Sequence, residues 1–170
     1  SKVVSIALKD RAAILMGGKR ADLALWFDPK TNRWISSTYY LPSKQLPQWV
    51  EKLDEKISTR LESPMQWALD SKAAGSGRSL SAEENPLLKD DPATQKFGFT
   101  FPHEGRLSSG AALAGPVGVE LTMDAALAAI DAMDLGKDKT PDILALSLSS
   151  HDYIGHAFGP NSRENEEITV

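Results

Sequence analysis

PDILALSLSSHDYIGHAFGP, residues 141–160, is the stretch from which the fold of this chain can be read. It opens with the apolar run Ile143-Leu144-Ala145-Leu146, with Pro141-Asp142 before it and serines after it. A short, nearly continuous apolar run between turn signals fits a buried strand of a parallel sheet. Ser149, Ser150, His151 and Asp152 follow at once, then Gly155-His156 and Gly159-Pro160. In open α/β sheets, ligands gather beyond the carboxyl ends of the strands. Asp152 and His156 are a carboxylate and an imidazole, both good zinc ligands. Their spacing turns both toward one point if the segment coils into about one helical turn. The same spacing also suits a solvated Asp–His pair on a surface turn. Gly155 permits close backbone approach or a positive φ beside a ligand, and Gly159-Pro160 stops any local helix.

The chain has 170 residues, of which 41% are hydrophobic and 25% charged. That is ordinary for a globular protein and enough for one domain with a sizeable core. A net charge of −4 implies no bulk attraction to nucleic acid or to an anionic membrane, and neither is expected as a partner. With no cysteine, disulfides and thiolate metal sites are excluded. No apolar run is long enough to span a bilayer. The absence of an initial Met and the undemarcated end at Glu166–Val170 read as a piece of a longer protein.

Outward from the opening stretch, Val3 to Leu8 is β-rich and largely apolar, a second candidate for a buried parallel strand. Lys9, Asp10 and Arg11 follow it. If the strand continues, Lys9 and Arg11 share one face. Two neighbouring cations repel unless an anion lies between them, and a phosphate fills that role well. A solvated polar strand end is the plainer alternative. Gly17-Gly18 marks a turn. Asp22–Phe27 and Arg33–Thr38 flank a Pro/Asn loop and predict a hairpin whose aromatic residues pack a small core. Leu46 to Ile57 predicts an amphipathic helix with Val50, Leu53 and Ile57 on one face. Residues 70–98 read as surface loop, and Phe97–Phe101 as a short strand. His103-Glu104 is either solvated or a metal pair, and residues 108–118 form a connection. Val119 to Leu135 predicts a helix, with Thr122 near its start. Met123, Leu127, Ile130 and Met133 fall at helical spacing, alanines permit close approach to a sheet, and Gly136 is the stop.

These elements predict an α/β fold. Strand 3–8, helix 119–135 and strand 143–148 form a βαβ core. Residues 1–11 and 119–170 make up the core, and residues 12–118 are a long inserted α+β cap beside the site.

SSHDYIGHAFGPNS resembles the metal-binding motif Asp-x-x-Gly-His-x-x-Gly-Pro of the alkaline phosphatase superfamily, in its phosphodiesterase/nucleotide pyrophosphatase-like section. VVSIALKDRAAIL, ALWFDPKTNRWISSTYY and LPQWVEKL resemble its phosphomonoesterase branch, the zinc-dependent phosphate-irrepressible alkaline phosphatases. The resemblance implies a doubly wound sheet of which this chain is a central part. It assigns Asp152 and His156 to one of a pair of catalytic zinc ions, and Lys9 and Arg11 to the non-bridging oxygens of a phosphate monoester. It further implies attack by a Thr or Ser alkoxide through a covalent phospho-enzyme. The nucleophile and the other zinc ligands of the pattern have no counterpart here. The chain alone is therefore expected to be inactive, with the remainder of its parent polypeptide as its partner. Family members are usually exported by bacteria, so a periplasmic or secreted parent is expected. A phosphodiesterase or nucleotide pyrophosphatase is the alternative, and the Lys9–Arg11 pair argues against it. A non-catalytic binding module that retained half a metal site is the other.

Overall fold

The computed structural model describes residues 1–63, 65–67, 103–105, 112–160 and 162–169. The chain divides into two units, Ser1–Arg60 with Glu120–Ser149, and Leu61–Val119 with Ser150–Val170.

The first unit is built on four strands, β1 (Val3–Ala7), β2 (Leu23–Asp28), β3 (Arg33–Ile35) and β6 (Ile143–Ser147), in the sheet order β3-β2-β1-β6. β1 (Val3–Ala7) lies inside it, with Val4, Ile6 and Ala7 fully buried. β6 (Ile143–Ser147) runs parallel to β1 in the register Val3↔Ile143 to Ala7↔Ser147, as the two apolar runs predict. β6 is not buried, however. It forms one edge of the sheet, and Ile143 is 55% exposed. An apolar run specifies a strand, but its burial depends on what covers it.

The hairpin forms as predicted: β2 (Leu23–Asp28) pairs antiparallel with β3 (Arg33–Ile35). Phe27 and Trp34 meet edge to face at 5.6 Å in the core. Besides β3, β2 pairs parallel with β1, from Val4↔Leu23 to Ala7↔Trp26. Leu23, Ala24 and Leu25 are at most 1% exposed, as suits an inner strand apolar on both faces. Residues 12–60 thus share a unit with β1 and β6, whereas residues 150–170 group with 61–119.

Between β1 and β2 the chain forms α1 (Asp10–Gly17) and a short 3₁₀ turn (Gly18–Arg20). Ala-Ala-Ile-Leu-Met followed by Gly-Gly carries this helix and its stop. Gly18 has φ 62°, open to glycine at little cost. The amphipathic helix α2 (Gln48–Glu62) forms as expected and runs on beyond Ile57. Val50, Leu53, Ile57 and Leu61 make its buried face.

Helix α3 (Pro116–Ala132) starts three residues earlier than expected, with a proline in its first turn. Asp134 and Gly136 take positive φ just beyond its end. The helix buries its alanines, Ala125, Ala126 and Ala129, and leaves the large residues Met123, Leu127 and Ile130 at 40%, 58% and 36% exposure.

The second unit holds a two-stranded ladder, β4 (Met65–Trp67) with β5 (His103–Gly105). It also holds α4 (Ser150–Phe158) and α5 (Arg163–Glu167). Trp67 and Phe158 are both buried and meet edge to face at 6.4 Å. Ser162 caps α5 by accepting the Asn165 N–H at 3.1 Å. The loop expected over 70–98 and the strand expected over 97–101 lie outside the described residues. Residues 112–113 are helical rather than plain connection.

Candidate functional site

Asp152 and His156 lie one turn apart on α4, an α-helix of nine residues where a single turn was expected. Their side chains face each other, with Asp152 Oδ1 3.6 Å from His156 Nε2. Both stay open to solvent, at 54% for Asp152 and 76% for His156. Ile154, Ala157 and Phe158 are buried, so the apolar residues of α4 anchor a helix that presents its Asp and His outward. Gly159, at φ 92°, follows the last helical residue, as the Gly-Pro signal predicts. Gly155 does not behave as expected. It lies inside the helix without a positive φ, and a Cβ there would meet only Asn165 Oδ1, at 3.8 Å. On the same helix, His151 Nε2 is 3.1 Å from Thr169 Oγ1, which ties α4 to the end of α5.

A divalent ion suits this donor pair: one hard carboxylate oxygen and one borderline imidazole nitrogen on a single helix face. The fit is to half a site. Among the described residues no group of three or more His, Cys, Asp or Glu could hold a metal ion. The backbone of His103 and Glu104 pairs with Trp67 and Gln66 in the β4–β5 ladder.

In the first unit, Lys9 and Arg11 are placed differently from the strand-face reading. β1 stops at Ala7, and Lys9 is the N-cap of α1, in extended conformation with φ −103° and ψ 133°. Arg11 is exposed and belongs to the first turn of the helix. The alternation that would put both side chains on one strand face therefore does not apply. Both lie in the tight strand-to-helix turn that begins α1. A helix N-terminus carries unpaired N–H groups and a partial positive charge, so this end of α1 favours an anion. Asp10 counters part of that, and its Oδ1 accepts the Arg11 N–H at 2.6 Å. Helix α1 was legible in its helix-forming run and closing glycines, but the strand reading was extended over its first turn.

Ala7 and Ser147 are register partners, so β1 and β6 end level with each other and the chain leaves both at one end of the sheet. At the β6 exit, Ser147 Oγ and Ser149 Oγ share a hydrogen bond at 3.0 Å.

In sequence and fold the chain is similar to one class of known proteins over nearly its whole length. No family model matches. The chain is 36% identical over 168 residues to alkaline phosphatase PhoV of Synechococcus elongatus, covering 98% of this chain and 30% of that protein. It is 37% identical over 172 residues to alkaline phosphatase PafA of Elizabethkingia meningoseptica, of which it covers 31%. A protein of Myroides odoratus named calcium-transporting ATPase is 37% identical over 178 residues. Among solved structures, the crystal structure of wild-type PafA superposes with a TM-score of 0.75 at 32% identity, covering 99% of this chain and 32% of that one. A PafA variant carrying four substitutions, among them a lysine and an arginine two positions apart changed to alanine, gives a TM-score of 0.72.

In sequence and fold the chain is similar to a segment of alkaline phosphatases. It spans about 30% of the length of the curated relatives it matches.

Proposed function

We propose that this chain is the part of a zinc-dependent phosphate monoesterase that supplies one metal-ligand pair and the cationic contacts to the phosphoryl group. The observation that carries the proposal is the Asp152–His156 pair, exposed and 3.6 Å apart on α4, in a chain similar to alkaline phosphatases along 98% of its length. In this reading Asp152 and His156 are zinc ligands. A bound ion supplies a lowered nucleophile pKa and a counter-charge for developing oxyanions. The nucleophile, a Thr or Ser, and the remaining ligands come from elsewhere in the polypeptide, which turns over a phosphate ester through a covalent phospho-enzyme. The parent works outside the cytoplasm, in the bacterial periplasm or beyond. No helix among the described residues is long and apolar enough to cross a membrane.

Lys9 and Arg11 hold the non-bridging oxygens in this reading. The turn they share and the N-terminus of α1 favour negative charge. The Lys-x-Arg pair exchanged for alanines in the PafA variant has the same spacing. A monoester dianion offers more charged free oxygens than a diester, so the pair acts chiefly on monoesters.

The test is the double variant Lys9→Ala/Arg11→Ala in the full-length enzyme. Loss of preorganised charge contacts lowers monoester turnover by about 10²–10³-fold or more, with a much smaller loss on a diester. Equal losses on both substrates would reject the role given to the pair.

A further inference from the structure

Three stripes run along α4, and each meets a different surface. Ser150, Ile154, Ala157 and Phe158 are buried. Asp152 and His156, at i and i+4, are exposed. His151 and Gly155, also at i and i+4, lie against the segment that follows the helix, His151 on Thr169 and Gly155 near Asn165. Successive residues of a helix stand about 100° apart around its axis. The Asp–His stripe is thus one residue round from the stripe that meets Thr169 and Asn165. Whatever fixes the rotation of one stripe fixes the direction of the other.

The segment after α4 is tied at both ends. Near its start, Ser162 Oγ donates to the Gly159 carbonyl at 2.8 Å and accepts the Asn165 N–H at 3.1 Å, and Asn165 Nδ2 donates to the Pro160 carbonyl at 2.9 Å. These bonds hold α5 to the turn that closes α4. At the far end, Thr169 Oγ1 donates to the Asn165 carbonyl at 2.7 Å. A carbonyl only accepts, so the single hydroxyl proton is used there. Across the 3.1 Å to His151 Nε2, Thr169 Oγ1 therefore accepts, and His151 carries a proton on Nε2. The donors run one way, from His151 to Thr169 to Asn165. His151 lies in the first turn of α4 and Gly159 just past its last, so the segment grips the helix at both ends.

We infer that His151 is a positioning residue for the Asp152–His156 pair: through Thr169 and Asn165 it fixes the rotation of α4, and so the direction in which the pair presents its donor atoms. This rests on the reading of Asp152 and His156 as zinc ligands. Apolar contacts are non-directional, so the buried stripe seats α4 without setting its rotation as a hydrogen bond does. A metal site needs its ligands held to within about 0.5 Å. His151 acts through the helix rather than on the ion.

The test is the zinc affinity of the full-length phosphatase, measured by competition with a chromophoric chelator. The variants are His151→Ala, Thr169→Val, Thr169→Ser, the double variant His151→Ala/Thr169→Val, and Asp152→Ala. His151→Ala and Thr169→Val should each weaken zinc binding by about 10–100-fold, as loss of a residue that orients metal ligands does. The double variant should be no worse than either alone, because both remove one bond. Thr169→Ser keeps the hydroxyl and should bind zinc as the wild type does. A packing role for Thr169 predicts the reverse order, since Val keeps the volume that Ser gives up. Wild-type affinity in His151→Ala, or weaker binding in Thr169→Ser than in Thr169→Val, would overturn the inference while Asp152→Ala still weakens binding and the ligand reading stands. Affinity unchanged in Asp152→Ala would reject the ligand reading and this inference with it.

Discussion

Gly17→Ala tests how α1 is seated on the sheet. Gly17 has φ −70° and ψ −33°, ordinary helical values. Alanine suits that backbone, and propensity alone favours it by about 1 kcal/mol. Packing opposes it. A Cβ on Gly17 would lie 2.5 Å from Ser5 Oγ, 3.0 Å from Ala21 Cβ and 3.3 Å from Ser5 Cβ. Ser5 is fully buried in β1, and its Oγ donates to the Ala13 carbonyl of α1 at 2.7 Å. If the hydroxyl rotates away, that bond is lost inside the core, at a cost of about 1–3 kcal/mol. If it stays, α1 must lift from β1, which costs about 1–3 kcal/mol as overpacking. Net of propensity, the loss is about 0–2 kcal/mol, or up to several degrees in Tm for a chain of this size. The assay is urea unfolding of the wild type, Gly17→Ala, Ser5→Ala and the double variant. In the Ser5→Ala background the 2.5 Å contact is gone, so Gly17→Ala should cost little there, giving a coupling of about 1–2 kcal/mol. A stabilising Gly17→Ala, or an equal cost in both backgrounds, would refute the reasoning.

Other outcomes can be checked separately. Phe158→Ala removes a buried ring packed against Trp67 and should cost about 3–5 kcal/mol in thermal or chemical unfolding, loosening the helix that carries Asp152 and His156. Gly155→Ala should stabilise the isolated chain by about 0.5–1 kcal/mol, because the position is helical and has room for a methyl; a loss would mean the neighbouring surface is crowded. Burial pushes the Asp54 carboxyl above its ordinary value, although the Trp34 N–H works the other way. The folded state thus holds that proton more tightly, and the stability this brings is lost as pH rises through the folded pKa. Asp54→Asn keeps an acceptor for Trp34, so it should stabilise at pH 7 and lose that advantage as pH falls below the ordinary aspartate range; a gain independent of pH contradicts the assignment. The isolated chain should show no turnover of p-nitrophenyl phosphate and only weak zinc binding, since two ligands leave a tetrahedral ion half solvated. Submicromolar affinity by calorimetry, abolished in Asp152→Ala, would speak against that.

The elements legible from sequence were those whose signal is local. The apolar runs of β1 and β6, the hairpin around Pro29 and Asn32, and the α2 face of Val50, Leu53 and Ile57 all appear where their periods put them. The spacing of Asp152 and His156 was readable for the same reason, because one helical turn brings i and i+4 together whatever surrounds it. The Lys9–Arg11 reading shows the limit of local pattern. The residue types were found, but the strand period was carried past Ala7 into a helix.

What only the tertiary structure decided is which neighbour each element meets. Nothing in Leu23–Asp28 states that it lies parallel beside β1 and so joins the sheet. That follows from long-range pairing after α1 has turned the chain back. Nor does the periodicity of α3 say which side is buried. Hydrophobicity alone favours the stripe of Met123, Leu127 and Ile130, yet Ala125, Ala126 and Ala129 lie inside, because small side chains let the helix backbone approach its neighbours closely. Sequence by itself determined the strands, helices and chemical groups of this protein. Burial and adjacency are properties of the surface an element packs against, and that surface is set by residues distant in sequence.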